Sequence, residues 1–167
     1  MSVRRHEIVS GFDIFEPATD DEIAYLMANL SSADADEVER FGLDAASGAA
    51  DAWRDMRRRI AIYRNGSLMC VAGISDEACG RVLTCTTTRH ALEMGNAVSW
   101  IRSFPSFAEW FMSTDDNAGR TGRFLAACPE DKPRAFAFYR RAGAVRIGSF
   151  SVLGRKFSLI EMKRKED

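Results

Sequence analysis

The chain has 167 residues, 46% of them hydrophobic, which is enough for one domain with a sizeable core and short for two. Lys plus Arg number 23 against 24 for Asp plus Glu, so no global field draws the chain to nucleic acid or to a membrane surface. Cys70, Cys79, Cys85 and Cys128 form no CxxC pair, and with only His6 and His90 beside them no metal-ligand spacing exists. No apolar h-region follows the basic start MSVRRHEIVSG and no apolar run reaches membrane-spanning length, so a cytosolic setting, or the interior of a particle assembled in cytosol, is expected.

We expect a single domain over residues 1–167 with flexible ends at 1–10 and 163–167. Phe12 to Glu16, closed by Pro17, reads as a first short strand. Thr19 with Glu22 is a capping box, and Ile23, Leu26, Met27 and Leu30 form the buried stripe of the helix it opens. Ser31 or Ser32 caps a second helix ending near Gly42, a small-residue loop follows to Gly48, and a third helical stretch carries Trp53 and Met56. IAIY at 60–63 and LMCVAGI at 68–74, joined by Asn65-Gly66, make the clearest hairpin, since that dipeptide accepts positive φ at both central positions. A turn over residues 75–80 leads back into VLTCTTT at 82–88, whose β-branched content argues strand. Three antiparallel strands thus form the centre of a sheet.

Asn96 is the expected cap of the next helix, which carries Val98, Ile101, Phe107, Trp110 and Phe111 and should kink or break at Pro105. Residues 113–122 are a polar loop. Arg123 to Cys128 reads as a strand buried on both faces, Asp131 as a helix cap, and Pro133 suits the first turn. That helix buries Ala135, Phe138 and Ala142 and stops at Gly143. A terminal hairpin, residues 144–152 and 156–162, closes the chain. Tight turns impose antiparallel pairs and strand–helix–strand stretches allow parallel crossovers, so a mixed sheet with helices on both faces follows. The basic run Arg57 to Arg59 has Asp55 beside it and reads as a solvated face rather than a nucleic-acid patch.

This order, with FYRRAGA at 138–144, resembles the GNAT superfamily of acyl-CoA-dependent N-acyltransferases over most of the chain; Ala144 stands where the family often has an aromatic residue. PATDDEIAYLMANLSSADADEV, the Asn-Gly hairpin, TTTRHALEMGNAVSWIRSFPSFAEWF and FYRRAGA together are similar to the GNAT-like internal virion proteins of short-tailed phages. The superfamily resemblance implies an α/β fold with a mostly antiparallel sheet, splayed between its fourth and fifth strands to admit the arm of acetyl-CoA. Those strands correspond to residues 82–88 and 123–128. It further implies a pyrophosphate on the amino end of the following helix, so that Thr87, Thr88, Arg89, Gly95, Asn96 and Ala97 are the expected cofactor-binding residues.

Two departures mark that loop. Leu92 stands where the family has Gln or Arg, with Arg89 and His90 as substitutes from a longer loop, and Glu93 brings a negative charge near the anion. Gly95 and Asn96 equally read as a plain turn and cap. Tyr139 matches the family tyrosine that protonates the departing CoA thiolate, and equally reads as a packed helix-face residue. No carboxylate lies on residues 82–88 to serve as general base; Asp76, Glu77 and His90 flank the strand. Cys85 has no identifiable histidine to activate it as a nucleophile.

Two functions follow from the resemblance. One is a phage virion or assembly component that keeps a degenerate acyl-CoA site and binds phage structural proteins. The other is an active acetyl-CoA-dependent acyltransferase acting on a small amine or a protein amine. Neither needs a metal.

Overall fold

A computed structural model describes residues 4–40, 48–115 and 123–163 of the chain. The expected helix end at Gly42, most of the small-residue loop, residues 116–122 of the polar loop and the tail from 164 lie outside the described residues. Among the described residues eight strands form one sheet, in the order β1-β2-β3-β4-β5-β6-β8-β7. They are β1 Arg5–Val9, β2 Phe12–Glu16, β3 Arg58–Arg64, β4 Ser67–Glu77, β5 Gly80–Thr87, β6 Arg123–Pro129, β7 Val145–Val152 and β8 Arg155–Lys163. Every neighbouring pair is antiparallel except β5 and β6.

The helices are α1 Asp20–Ala28, α2 Ser32–Arg40, α3 Gly48–Arg54, α4 Met94–Ser113 and α5 Pro133–Arg140, with a 3₁₀ turn at Arg89–Leu92. One face of the sheet packs Ile60, Ile62, Ala72 and Phe124 against Trp100, Phe104, Phe107 and Phe111 of α4. The other packs Ala61, Leu68 and Val71 against Ile23, Leu26 and Trp53 of α1 and α3. This two-sided core follows from the period of two along β3 and along β4 from Cys70 onward, which sends alternate apolar residues to opposite faces, while a bulge at Met69 returns Leu68 to the face of Val71. Among the described residues no helix is long and apolar enough to cross a membrane.

Four expectations need correction. Residues 5–9, assigned to a flexible end, form β1, which folds back on β2 through Ser10 and Gly11 at φ 52° and 82°. Helix α4 begins at Met94, with Glu93 rather than Asn96 at its cap; Asn96 instead donates from Nδ2 to the His90 carbonyl at 3.0 Å, tying the 3₁₀ turn to the helix. Pro105 lies inside α4 without ending it, its missing hydrogen bond offset by the buried aromatic stripe on either side. Lys132 rather than Asp131 occupies the cap of α5 and makes no side-chain bond to the helix end, while Gly143 takes the expected left-handed φ of 83° just past the helix.

Of the basic run at 57–59 only Arg58 is buried; Arg57 and Arg59 stay partly exposed and each pairs with an acid. Arg58 donates from Nε and Nη2 to Glu16 and from Nη1 to the Phe111 carbonyl at 2.9 Å, which places a cation on the negative end of α4. Arg57 and Arg81 both bond the fully enclosed carboxylate of Asp115.

Candidate active site

Strands β5 and β6 pair only at Arg81↔Phe124 and Val82↔Leu125, although β5 continues to Thr87 and β6 to Pro129. Each is held along its length on its other side, β5 by β4 and β6 by β8. Beyond Val82 the two strands therefore face a gap, and residues of both line cavities there.

The first cavity, about 570 Å³, runs from Cys85 and Thr87 of β5 and Ala127–Pro129 of β6 to Ala91, Leu92, Ala97 and Trp100 at the start of α4. The second, about 790 Å³, lies towards α2 and α3 and is lined by Asp55, Glu77, Trp53 and Phe150. Asp34, Glu37, Cys85, Ala127 and Tyr139 line both. Tyr139 thus stands at their junction, carried there by α5, whose Phe138 and Tyr139 rings pack on Phe104 of α4. None of the described residues hydrogen-bonds its hydroxyl. Burial pushes the phenol well above its ordinary value, and the neighbouring Cys85, Glu37, Cys128 and Asp34 add to the effect. At neutral pH Tyr139 is a protonated donor.

The expected cofactor residues divide. Thr87 and Ala97 line the first cavity. Thr88, Arg89, Gly95 and Asn96 are not among its lining residues; Thr88 is fully buried, with its hydroxyl donated to the Leu68 carbonyl at 2.7 Å. Gly95 sits in the first turn of α4 with nothing within 4 Å of where a Cβ would stand, and Arg64 donates to its carbonyl at 3.3 Å. Arg64 is a cation near that helix end which local sequence reading does not reveal, because it arrives from β3.

Thr87 is engaged by the chain itself. Its N–H donates to Asp34 Oδ2 at 2.8 Å, its hydroxyl donates to the same carboxylate, and its carbonyl accepts from Ser31 N–H at 2.9 Å. Arg89 N–H donates to the Asn29 carbonyl, so residues 29–31 make one isolated antiparallel bridge, Leu30 to Thr88, just past the end of β5.

The carboxylates missing from β5 are supplied by α2. Asp34 and Glu37, one turn apart on that helix, face the junction. Among the residues flanking β5, Glu77 lines the second cavity, whereas Asp76 is paired with Arg57 and His90 is held between Tyr25 and Glu93. No histidine is among the lining residues of either cavity. Cys70 and Cys128 have their thiols pushed up by burial, Cys128 to about 11. No group of residues that could hold a metal ion occurs among the described residues.

No family model matches the sequence and no curated protein matches it. Solved structures do. The chain is similar to a GNAT-family acetyltransferase from Bacillus anthracis, with a TM-score of 0.67 at 10% identity, covering 97% of this chain and 100% of that one. It is also similar to a spermidine N-acetyltransferase from Vibrio cholerae, with a TM-score of 0.61 at 11% identity over 93% and 95% of the two chains. A third similar structure is AAC(6′)-Ib in complex with ribostamycin and coenzyme A, with a TM-score of 0.62 at 15% identity over 88% and 90%. None of these three is a virion protein, and the phage branch of the resemblance gains no support from them. The fold of this chain is that of the GNAT-family acetyltransferases.

Proposed function

We propose that this chain is an acyl-CoA-dependent N-acyltransferase, with acetyl-CoA as donor, acting on a cationic amine. The observation that carries the reading is the meeting of two cavities at Tyr139 where β5 and β6 have stopped pairing. Two molecules, one in each cavity, can react only where the cavities join, and a protonated phenol stands there.

Acyl-CoA fits the first cavity. Its walls are mainly apolar, it opens beside the edge of β5 at Cys85, and it ends against α4, whose first N–H groups have no partner within the helix. Arg64, beside Gly95, adds a positive charge for a phosphate group. When bound, acyl-CoA supplies an acyl group activated as a thioester. The chain supplies the proton transfers: Asp34 and Glu37 take the proton the amine must lose, and Tyr139 gives one to the departing sulfur as the carbon–nitrogen bond replaces the carbon–sulfur bond.

The second cavity points to the acceptor. Asp34, Glu37, Asp55 and Glu77 line it with the rings of Trp53, Tyr139 and Phe150, and neither lysine nor arginine is among its described lining residues. Acids and aromatic faces both favour a cation. A spermidine N-acetyltransferase and a protein crystallised with ribostamycin and coenzyme A share the fold, which agrees with this chemistry.

Thiol release from acetyl-CoA, measured against a panel of amines, tests the reading. Diamines and polyamines are expected to be turned over and amines bearing a carboxylate to be refused, with Glu77→Gln raising KM for the cationic acceptor while kcat changes little. Release that ignores acceptor charge, or its absence with every amine, removes the proposal.

One observation favours the alternative, a virion or assembly component with a degenerate acyl-CoA site. The end of β5 at Thr87 is closed by Ser31 and Asp34, so part of the edge an incoming arm would use is already engaged. Recovery of the chain in purified particles, together with failure to bind acetyl-CoA, would favour that reading.

A further inference from the structure

The two edges of the sheet differ in how they are defended. An edge strand presents unpaired N–H and C=O groups, and charges along it oppose pairing with another chain. At one edge β1 carries Arg5, His6 and Glu7 in a five-residue strand, and all three are held in polar contacts, Arg5 with Glu7, His6 with Asp13 and Glu7 with Trp110. At the other edge β7 runs Val-Arg-Ile-Gly-Ser-Phe-Ser-Val and, among the described residues, pairs only with β8. Its one charge, Arg146, is engaged by Glu130. Seven of its eight residues are exposed, among them Val145, Ile147 and Phe150, and Leu153 in the following turn is 73% exposed.

The β7–β8 ladder shifts register between Arg146 and Gly148, so the regular part of β7 is Gly148 to Val152. That segment is Gly-Ser-Phe-Ser-Val, nearly symmetric about Phe150 and free of charge. An antiparallel two-fold pairing centred there sets Phe150 against Phe150 of the second copy, and Ser149 against Ser151. An aromatic pair and small hydroxyl pairs are favourable neighbours on a sheet, and no like charges meet. Any other neutral strand could use the edge, but this register makes the strand complementary to itself, the condition a closed two-fold interface imposes.

We infer that β7 is the interface for a second copy of this chain, which pairs antiparallel about Phe150 and extends the sheet across the two-fold axis. Phe150 also lines the second cavity. The pairing therefore fixes one wall of that cavity, whatever the cavity binds.

Sedimentation of the full chain over a range of micromolar concentrations tests this. The wild type is expected to sediment as a dimer. Ser149→Lys/Ser151→Lys sets like charges opposite each other and should weaken association by at least about tenfold, whereas Ser149→Lys/Ser151→Glu sets opposite charges in register and should retain the dimer. Both serines are exposed, and an unchanged melting temperature for each double variant shows that the fold is intact. A wild-type monomer at every concentration, or a dimer indifferent to both variants, overturns the proposal; the first would leave the edge to a different protein.

Discussion

Burial pushes both Tyr139 and Asp115 up, and their neighbours turn that into opposite outcomes. At Tyr139 desolvation raises the phenol and nearby acidic groups reinforce the rise, so a proton is held where the cavities meet. Tyr139→Phe should lower kcat by at least about tenfold with little change in KM for acetyl-CoA, because only the hydroxyl is lost; equal turnover would remove Tyr139 from the chemistry. At Asp115 burial alone would raise the carboxyl, but hydrogen bonds and charges from Arg57 and Arg81 outweigh it and hold the group below the usual range. A depressed native value means stability that is fully present above the unfolded value, about 3.9, and lost as pH falls through the native one. Thermal melts of the wild type should therefore drop in temperature as pH falls below about 4. Asp115→Ala removes the carboxylate that the buried Arg81 and Arg57 both bond and should cost about 1.5–3 kcal/mol at neutral pH. A loss under about 1 kcal/mol by denaturant titration would show the cluster to be dispensable.

At the scale of elements, β4 passes close beneath Trp53 of α3 and the Met56 that follows it at Gly73. A Cβ there would stand 2.1 Å from Met56 Sδ, 2.9 Å from Trp53 Cζ3 and 3.1 Å from the Arg58 carbonyl. Met56 can move, but the ring and the carbonyl cannot both do so, and Gly73→Ala should destabilise by about 1–3 kcal/mol in a denaturant titration. The start of α4 is open by comparison. A Cβ at Gly95 meets nothing within 4 Å, so for Gly95→Glu the melting temperature should hold while acetyl-CoA affinity falls, as a carboxylate stands near the place assigned to phosphate. If affinity holds instead, the phosphate group lies elsewhere.

Across the whole molecule, what could be read from the chain was what its local chemistry determines. Thr19 and Glu22 close a capping box within one turn, and Asn65-Gly66 takes φ of 51° and 76° in its hairpin. β1 escaped notice because three charged or polar residues hide its alternation, and the Ser10-Gly11 turn that reveals it is short. Asp34 and Glu37 escaped because acids on a polar helix look solvated until the fold sets α2 over the end of β5. Arg58 looked like surface charge for the same reason: its partners Glu16 and Phe111 lie 42 and 53 positions away. The parting of β5 and β6 is likewise a property of the assembled sheet, since either strand by itself is an ordinary apolar run. What that parting accepts is decided most directly by titrating the full-length chain with acetyl-CoA in a calorimeter. Saturable one-to-one binding that Gly95→Glu weakens is the predicted result, and the absence of heat at millimolar ligand would contradict it.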